Sequence, residues 1–174
     1  MSDKGFTLIE LLVVIIIVGI LGGVAFTTLN INEYINQGND IKRMTDIDRL
    51  SRTIQEKATT QDIVLIATKS SPTSSDLIYT SSLQSMDATG SGYIPFNTSA
   101  NLPLGPTLPI DPKNNTPHNN SVLGNNRYIY CSDGKDYKLG AILDSDKYKD
   151  EPKNDGGESD LWYEVGSNLS LCDF

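Results

Sequence analysis

Three groups of residues in this chain have the types and spacing to do chemistry. The first is Glu10, the lone charge in the apolar run from Phe6 to Leu29. An ionised side chain in a hydrocarbon-spanning helix costs on the order of 2.5–3.5 kcal/mol at the centre, less near an end, so Glu10 needs a partner. The second is the pair Cys131 and Cys172. The third is an acidic crowd after Leu143, where Asp144, Asp146, Asp150, Glu151, Asp155, Glu158 and Asp160 share a span with Gly156 and Gly157. Calcium takes six to eight oxygen ligands, and glycines let a loop curl around it. Asp144, Asp146, Asp155 and Asp160, nearest the strand ends or the glycines, are the candidate calcium ligands. The spacing matches no EF-hand, and the alternative is a solvated loop with Lys147, Lys149 and Lys153 as counter-charges. His118 is the single histidine and sits in a polar stretch, which leaves little basis for a zinc site or a catalytic triad.

The elements that position these groups follow from periodicity. Phe6 to Leu29 would reach roughly 36 Å as a helix, enough to cross a bilayer. It is too long for the apolar core of a secretory signal peptide, and no small-residue cleavage site follows it. A plain single-pass anchor is the main alternative. Gly19, Gly22 and Gly23 each weaken that helix by about 0.5–1 kcal/mol relative to Ala, or let helices approach closely. Beyond it, Ile31, Tyr34, Ile35, Ile41, Met44, Ile47, Leu50 and Ile54 recur at helical steps. The simplest reading is one helix from about Phe6 to Ala58, apolar all round and then amphipathic, whose second half needs a sheet laid on it.

Thr59, Thr60 and Gln61 suggest a helix stop before the β-branched run Ile63–Ile66. Residues 70–126 are rich in Ser, Thr, Asn, Gly and Pro, the chemistry of a long connection. Arg127–Cys131 and Tyr137–Leu143 flank Ser132-Asp133-Gly134-Lys135, a hairpin signal, and Trp162–Val165 reads as a third strand. The class is α+β, with an antiparallel sheet facing the helix. About 145 residues lie beyond Leu29, enough for one modest domain. A net charge of −8 argues against nonspecific nucleic-acid binding, and no clear nucleic-acid site is found. Both cysteines lie on the side that would be exported, where an even count favours a disulfide; two buried thiols are the alternative.

The segment Lys4-Gly5-Phe6-Thr7-Leu8-Ile9-Glu10 and the apolar run behind it resemble the prepilin-type signal of type IV pilins and type II secretion pseudopilins. The shared features are a short charged leader, a Gly before the cut, an aromatic residue after it, and a Glu at the fifth place beyond. The resemblance implies cleavage between Gly5 and Phe6 by a prepilin peptidase and methylation of the Phe6 amine. Glu10 of one subunit would then pair with the Phe6 amine of its neighbour, since both are charged at neutral pH, and fix the register of a helical homo-oligomer. Proline often sits within this helix in the family, whereas this chain has Thr27 and Thr28 there and no Pro before Pro72.

The last third resembles the major pseudopilin of type II secretion in the order Asp111-Pro112, Tyr128-Ile129-Tyr130, Tyr137–Ala141, an acidic Gly-containing loop and Asp160-Leu161-Trp162. There the acidic loop can hold calcium; here the spacing differs, Asn114–Asn126 reads as an insertion, and a Cys pair is more typical of pilins. The expected organisation is a leader (1–5), a transmembrane and assembly helix (6–29), an amphipathic helix (30–60) and a globular domain (61–174) with its sheet in 127–174. The expected protein is not an enzyme and requires no cofactor. It is a type IV pilus-like filament subunit that meets prepilin peptidase and inner-membrane assembly machinery, sits in the membrane first, and ends in an extracellular or periplasmic filament. The alternative is a pseudopilin of a type II secretion or DNA-uptake system, or a minor tip pilin acting as a binding module.

Overall fold

The computed structural model describes residues 5–28, 30–68, 78–98, 103–118 and 123–173. Most of the expected leader, Leu29 at the end of the apolar run, and three stretches of the expected connection (69–77, 99–102, 119–122) lie outside the described residues. Two compact units divide between Tyr34 and Ile35.

In the first unit, α1 (Leu8–Thr28) is a helix of 21 residues. Its start is set by Thr7 and Glu10 acting as a capping box. The Glu10 backbone N–H donates to Thr7 Oγ1 at 3.3 Å, and the Thr7 N–H donates back to Glu10 Oε2 at 2.8 Å. Among the described residues no helix is long and apolar enough to cross a membrane. The expected span, Phe6 to Leu29, includes Leu29, which lies outside the described residues.

A second helix, α2 (Ile31–Thr59), replaces the expected continuous helix. Asn30 is the cause of the break: its carbonyl accepts the Glu33 N–H at 3.0 Å and its Oδ1 accepts the same N–H at 3.3 Å. Those are the bonds of an N-cap residue, and Asn is among the best at that position. The far end closes as a Schellman motif. Asp62 N–H donates to Lys57 O and Gln61 N–H to Ala58 O, with Gln61 at φ 59° where Gly is usual.

In the second unit, α2 lays Ile47, Leu50 and Ile54 on a core made with Tyr93, Ile94, Phe96, Tyr128, Tyr130, Tyr137 and Leu139. The sheet expected from the last third is present and larger. Numbered in chain order, the strands are β1 (Ile63–Leu65), β2 (Tyr79–Thr80), β3 (Phe96–Thr98), β4 (Tyr128–Ser132), β5 (Tyr137–Ala141) and β6 (Tyr163–Gly166). They form a four-stranded antiparallel sheet in the order β2-β4-β5-β6 and a separate antiparallel pair, β1-β3. The β4–β5 hairpin turns where Asp-Gly places it: Gly134 has φ 92°, and Asp133 Oδ1 accepts the Lys135 and Asp136 N–H groups.

Side-chain alternation splits the sheet faces. Tyr128, Tyr130, Leu139 and Ala141 face α2. Ile129 meets Leu123, Ile142 and Trp162 on the other side, and Cys131 meets Leu171 and Cys172 there. Both faces of a small sheet are therefore covered, the second by segments without regular structure.

The helical stripe read from sequence is only half buried. Ile47, Leu50 and Ile54 are core, but Ile31, Tyr34, Ile35 and Ile41 are exposed. The buried face of α2 continues toward its N-terminus through Asp40 and Arg43 instead.

Candidate functional site

The residues expected to serve processing and assembly, Gly5, Phe6 and Glu10, sit at the start of α1. Gly5 and Phe6 precede the cap, and Phe6 is 85% exposed. Within the single chain the Glu10 carboxylate is engaged by Thr7, whose hydroxyl donates to Glu10 Oε2 at 2.7 Å in addition to the backbone bond. The sequence reading sought Glu10's partner on another subunit and missed this one. The signal was present: Thr followed three residues later by Glu is the capping-box pattern. From Gly5 to Val24 every residue is exposed except half-buried Gly22. A helix that is apolar on all sides and exposed over these residues calls for an apolar environment.

The two cysteines are joined: Cys131 on β4 forms a disulfide with Cys172, with Cα atoms 6.6 Å apart.

The four candidate calcium ligands are not brought together. Asp144 belongs to an internal ion network. Asp146 is exposed and paired with Lys149 at 3.0 Å. Asp155 accepts the backbone N–H groups of Gly157 and Glu164, both at 2.7 Å, and Asp160 is exposed in the turn before β6. Among the described residues no group of three or more His, Cys, Asp or Glu side chains is placed to hold a metal ion. Asp144, Asp146, Asp150 and Asp155 of the acidic crowd are engaged by ion pairs or loop hydrogen bonds.

The network holding Asp144 was not anticipated. Its centre is Arg43, fully buried on α2. The guanidinium donates to Asp111 Oδ2 and Oδ1 at 2.8 and 3.1 Å, Asp40 Oδ1 at 2.8 Å, Asp144 Oδ2 at 2.8 Å and Asn126 Oδ1 at 3.2 Å. Asp40 in turn accepts the N–H groups of Asp144 and Ser145. Lys113 Nζ stands 3.1 Å from Asp144 Oδ2, and His118 Nε2 is 2.7 Å from Asp144 Oδ1. Burial pushes the Asp144 carboxyl up, but the hydrogen bonds and charges of Arg43 and Lys113 outweigh it and hold it below the usual carboxylate range. The arrangement fixes three irregular segments to α2. The lone histidine thereby stands against the buried Asp144 carboxylate of this cluster.

At the N-terminus an exposed Gly-Phe pair is followed by Glu10 bonded to Thr7 and by an exposed apolar helix. Residues 1–26 match the family model described as the prokaryotic N-terminal methylation motif, so the chain carries the prepilin-type signal of type IV pilins and pseudopilins. No curated protein and no solved structure matches the chain. The motif marks a pilin-like precursor processed by prepilin peptidase, and it is a structural signal and not that of an enzyme family.

Proposed function

We propose that this protein is a structural subunit of a type IV pilus-like filament. Prepilin peptidase cuts between Gly5 and Phe6, the Phe6 amine is methylated, and α1 with the residues flanking it holds the subunit in the inner membrane until assembly. The subunits then form a helical homo-oligomer through α1, in a filament outside the membrane. The observation that carries this reading is the α1 surface. Leu8 to Val24 present apolar side chains in every direction with Glu10 the one charge, and the methylation motif covers the same residues. Between a pilus subunit and a secretion pseudopilin, the Cys131–Cys172 disulfide favours the former, because such a pair is more typical of pilins.

The test is the composition of filaments sheared from cells that carry the protein at its natural level. A pilus subunit dominates that material and shows a mature N-terminal peptide beginning at methylated Phe6 by mass spectrometry. Assembled material that retains Met1 or Ser2 refutes the processing. Filaments seen only on overexpression assign the chain to the minor pilins or pseudopilins.

A further inference from the structure

The outer face of the four-stranded sheet holds a second buried charge pair, apart from the Arg43 cluster. Lys138 Nζ on β5 lies 2.9 Å from Glu164 Oε1 on β6, and both side chains are at most 1% exposed. Neither strand hides them. Two irregular segments do: the loop 155–159, and the C-terminal tail beyond β6. Glu164 Oε2 accepts the Ser159 N–H at 3.1 Å, and a Cβ placed on Gly157 would collide with the Glu164 carboxylate, so loop and carboxylate are in close contact. Cys172 and Asp173 of the tail join Lys138, Glu158, Ser159 and Glu164 around an open depression of about 220 Å³.

The tail reaches this place through one strong tether. Cys131 is the cross-strand neighbour of Lys138, so the bond to Cys172 draws the tail directly beside the ion pair. Ser167 and Asn168 still hydrogen-bond to Tyr137 O on β5. Beyond them the backbone bonds described are internal to the tail, from Leu171 N–H to Asn168 O and from Ser170 N–H to Asn168 Oδ1. Cys172 also holds φ at 61°, a left-handed conformation that a residue with a Cβ keeps only when its surroundings impose it.

We propose that residues 169–173 form a lid latched by the Cys131–Cys172 disulfide, and that opening the latch admits water to the Lys138–Glu164 pair and releases the loop 155–159. The opening step is an exchange with a dithiol reductant. Two electrons and two protons pass from the dithiol to the Cys131–Cys172 bond, giving two cysteine thiols and the oxidised, cyclic disulfide of the reductant. Among the described residues the lid then keeps the Leu171 contact, Leu169 beside Gly156, and its internal turns. The buried pair gains a route to solvent, while β4 and β5 stay held by their ladder and by the core against α2. A pair already matched in charge tolerates hydration, so the opening is local.

Amine acetylation of the full chain in detergent micelles, mapped by peptide mass before and after reduction, tests this. In the oxidised protein Lys138 is protected relative to exposed Lys135 by roughly two orders of magnitude; after reduction with a dithiol the two differ by less than about tenfold, as local opening predicts. Hydrogen exchange on the same samples shows protection lost over 155–159 and 168–173 but kept over 128–130 and 139–141. The Cys131→Ser, Cys172→Ser double variant reproduces the reduced pattern without reductant. Continued protection of Lys138 after confirmed reduction overturns the proposal. So does a loss of protection over β4 and β5 as large as that over the tail and the loop 155–159, which would leave the lid no separate unit.

Discussion

Replacing Arg43 by Met keeps the length and much of the volume of the side chain and removes its charge and donors. What remains is three carboxylates, Asp40, Asp111 and Asp144, that Arg43 had bridged in a region at most 2% exposed. Removing one partner of a buried ion pair costs about 3–5 kcal/mol, because the other charge stays buried without compensation. Residual support moderates this. Asp40 retains two backbone donors, Asp111 retains the Lys113 N–H, and Asp144 retains Lys113 Nζ. The lower part of that range is expected at pH 7, and for a domain of this size it lowers Tm by about 10 °C. Arg43→Lys keeps the charge but cannot fork to several carboxylates at once, and falls between wild type and Met. The pH dependence supplies a second reading of the same interaction. The Asp144 carboxyl is depressed in the folded protein, so its contribution is fully present above the unfolded value near 3.9 and is lost as pH falls through the lower folded value. The wild-type advantage over Arg43→Met is therefore large at pH 7 and smaller at pH 3. Thermal unfolding followed by near-ultraviolet circular dichroism, which reports on Trp162 and the tyrosines of the core, measures both. A variant within about 1 kcal/mol of wild type at pH 7, or a gap that widens toward pH 3, would show that Arg43 does not organise these segments.

Three further outcomes are expected. Glu10→Gln keeps an acceptor for the Thr7 N–H but loses the charge, whereas Glu10→Ala loses both. If charge pairing with a neighbour's Phe6 amine drives assembly, both variants insert in the membrane and neither yields filaments; wild-type filament yield from Glu10→Gln would leave capping as the role of Glu10. Breaking the disulfide with Cys131→Ser opens a loop with a sequence separation of 41, for which chain entropy gives a loss of roughly 4 kcal/mol, and urea unfolding of the full chain checks it. Gln61→Gly relieves a left-handed residue at the end of α2 and should stabilise by about 0.5–1 kcal/mol; destabilisation in the same assay would mean that the Gln61 side chain makes a contact worth more than the strain.

The parts of this fold that were legible in the sequence are those where one local rule acts. Asp133-Gly134 fixed a hairpin because a left-handed glycine is needed there. The step of three and four through Ile47, Leu50 and Ile54 marked a core face because that face meets a sheet. The same rule failed over Ile31, Tyr34, Ile35 and Ile41, which are exposed. Periodicity reports that a stripe is apolar, not what will cover it. The break at Asn30 was a short polar signal inside a strong helical pattern, and the N-cap outweighed the pattern. At the N-terminus the motif residues were readable one by one, but their first use, the bonds between Thr7 and Glu10, is a matter of local geometry.

Arg43 was hidden for a different reason. An arginine among Asp40, Asp46 and Asp48 on a helix looks like solvated surface, since buried arginines are rare unless paired, and two of its carboxylate partners lie 68 and 101 positions away. The acidic crowd misled in the complementary way. Seven carboxylates within one short span suggested a cation from outside, while the counter-charges for Asp144 were Arg43 and Lys113, supplied from distant segments. A common physical demand explains both features. This domain covers its sheet with long segments that have no ladder of their own, and ordering them costs backbone entropy of about 1–2 kcal/mol per residue. Apolar burial is scarce in Ser-, Asn- and Gly-rich chain, so the fastening falls to a few strong, long-range ties: Arg43 to the segments around Asp111, Asn126 and Asp144, Lys138 to Glu164, and Cys131 to Cys172. Such ties leave almost no trace in local sequence because each partner's neighbours are chosen for turning, not for pairing. The buried charged residues of the globular unit are accordingly fasteners, whereas at the N-terminus the charge that local bonds engage, Glu10 with Thr7, sits on an exposed apolar helix.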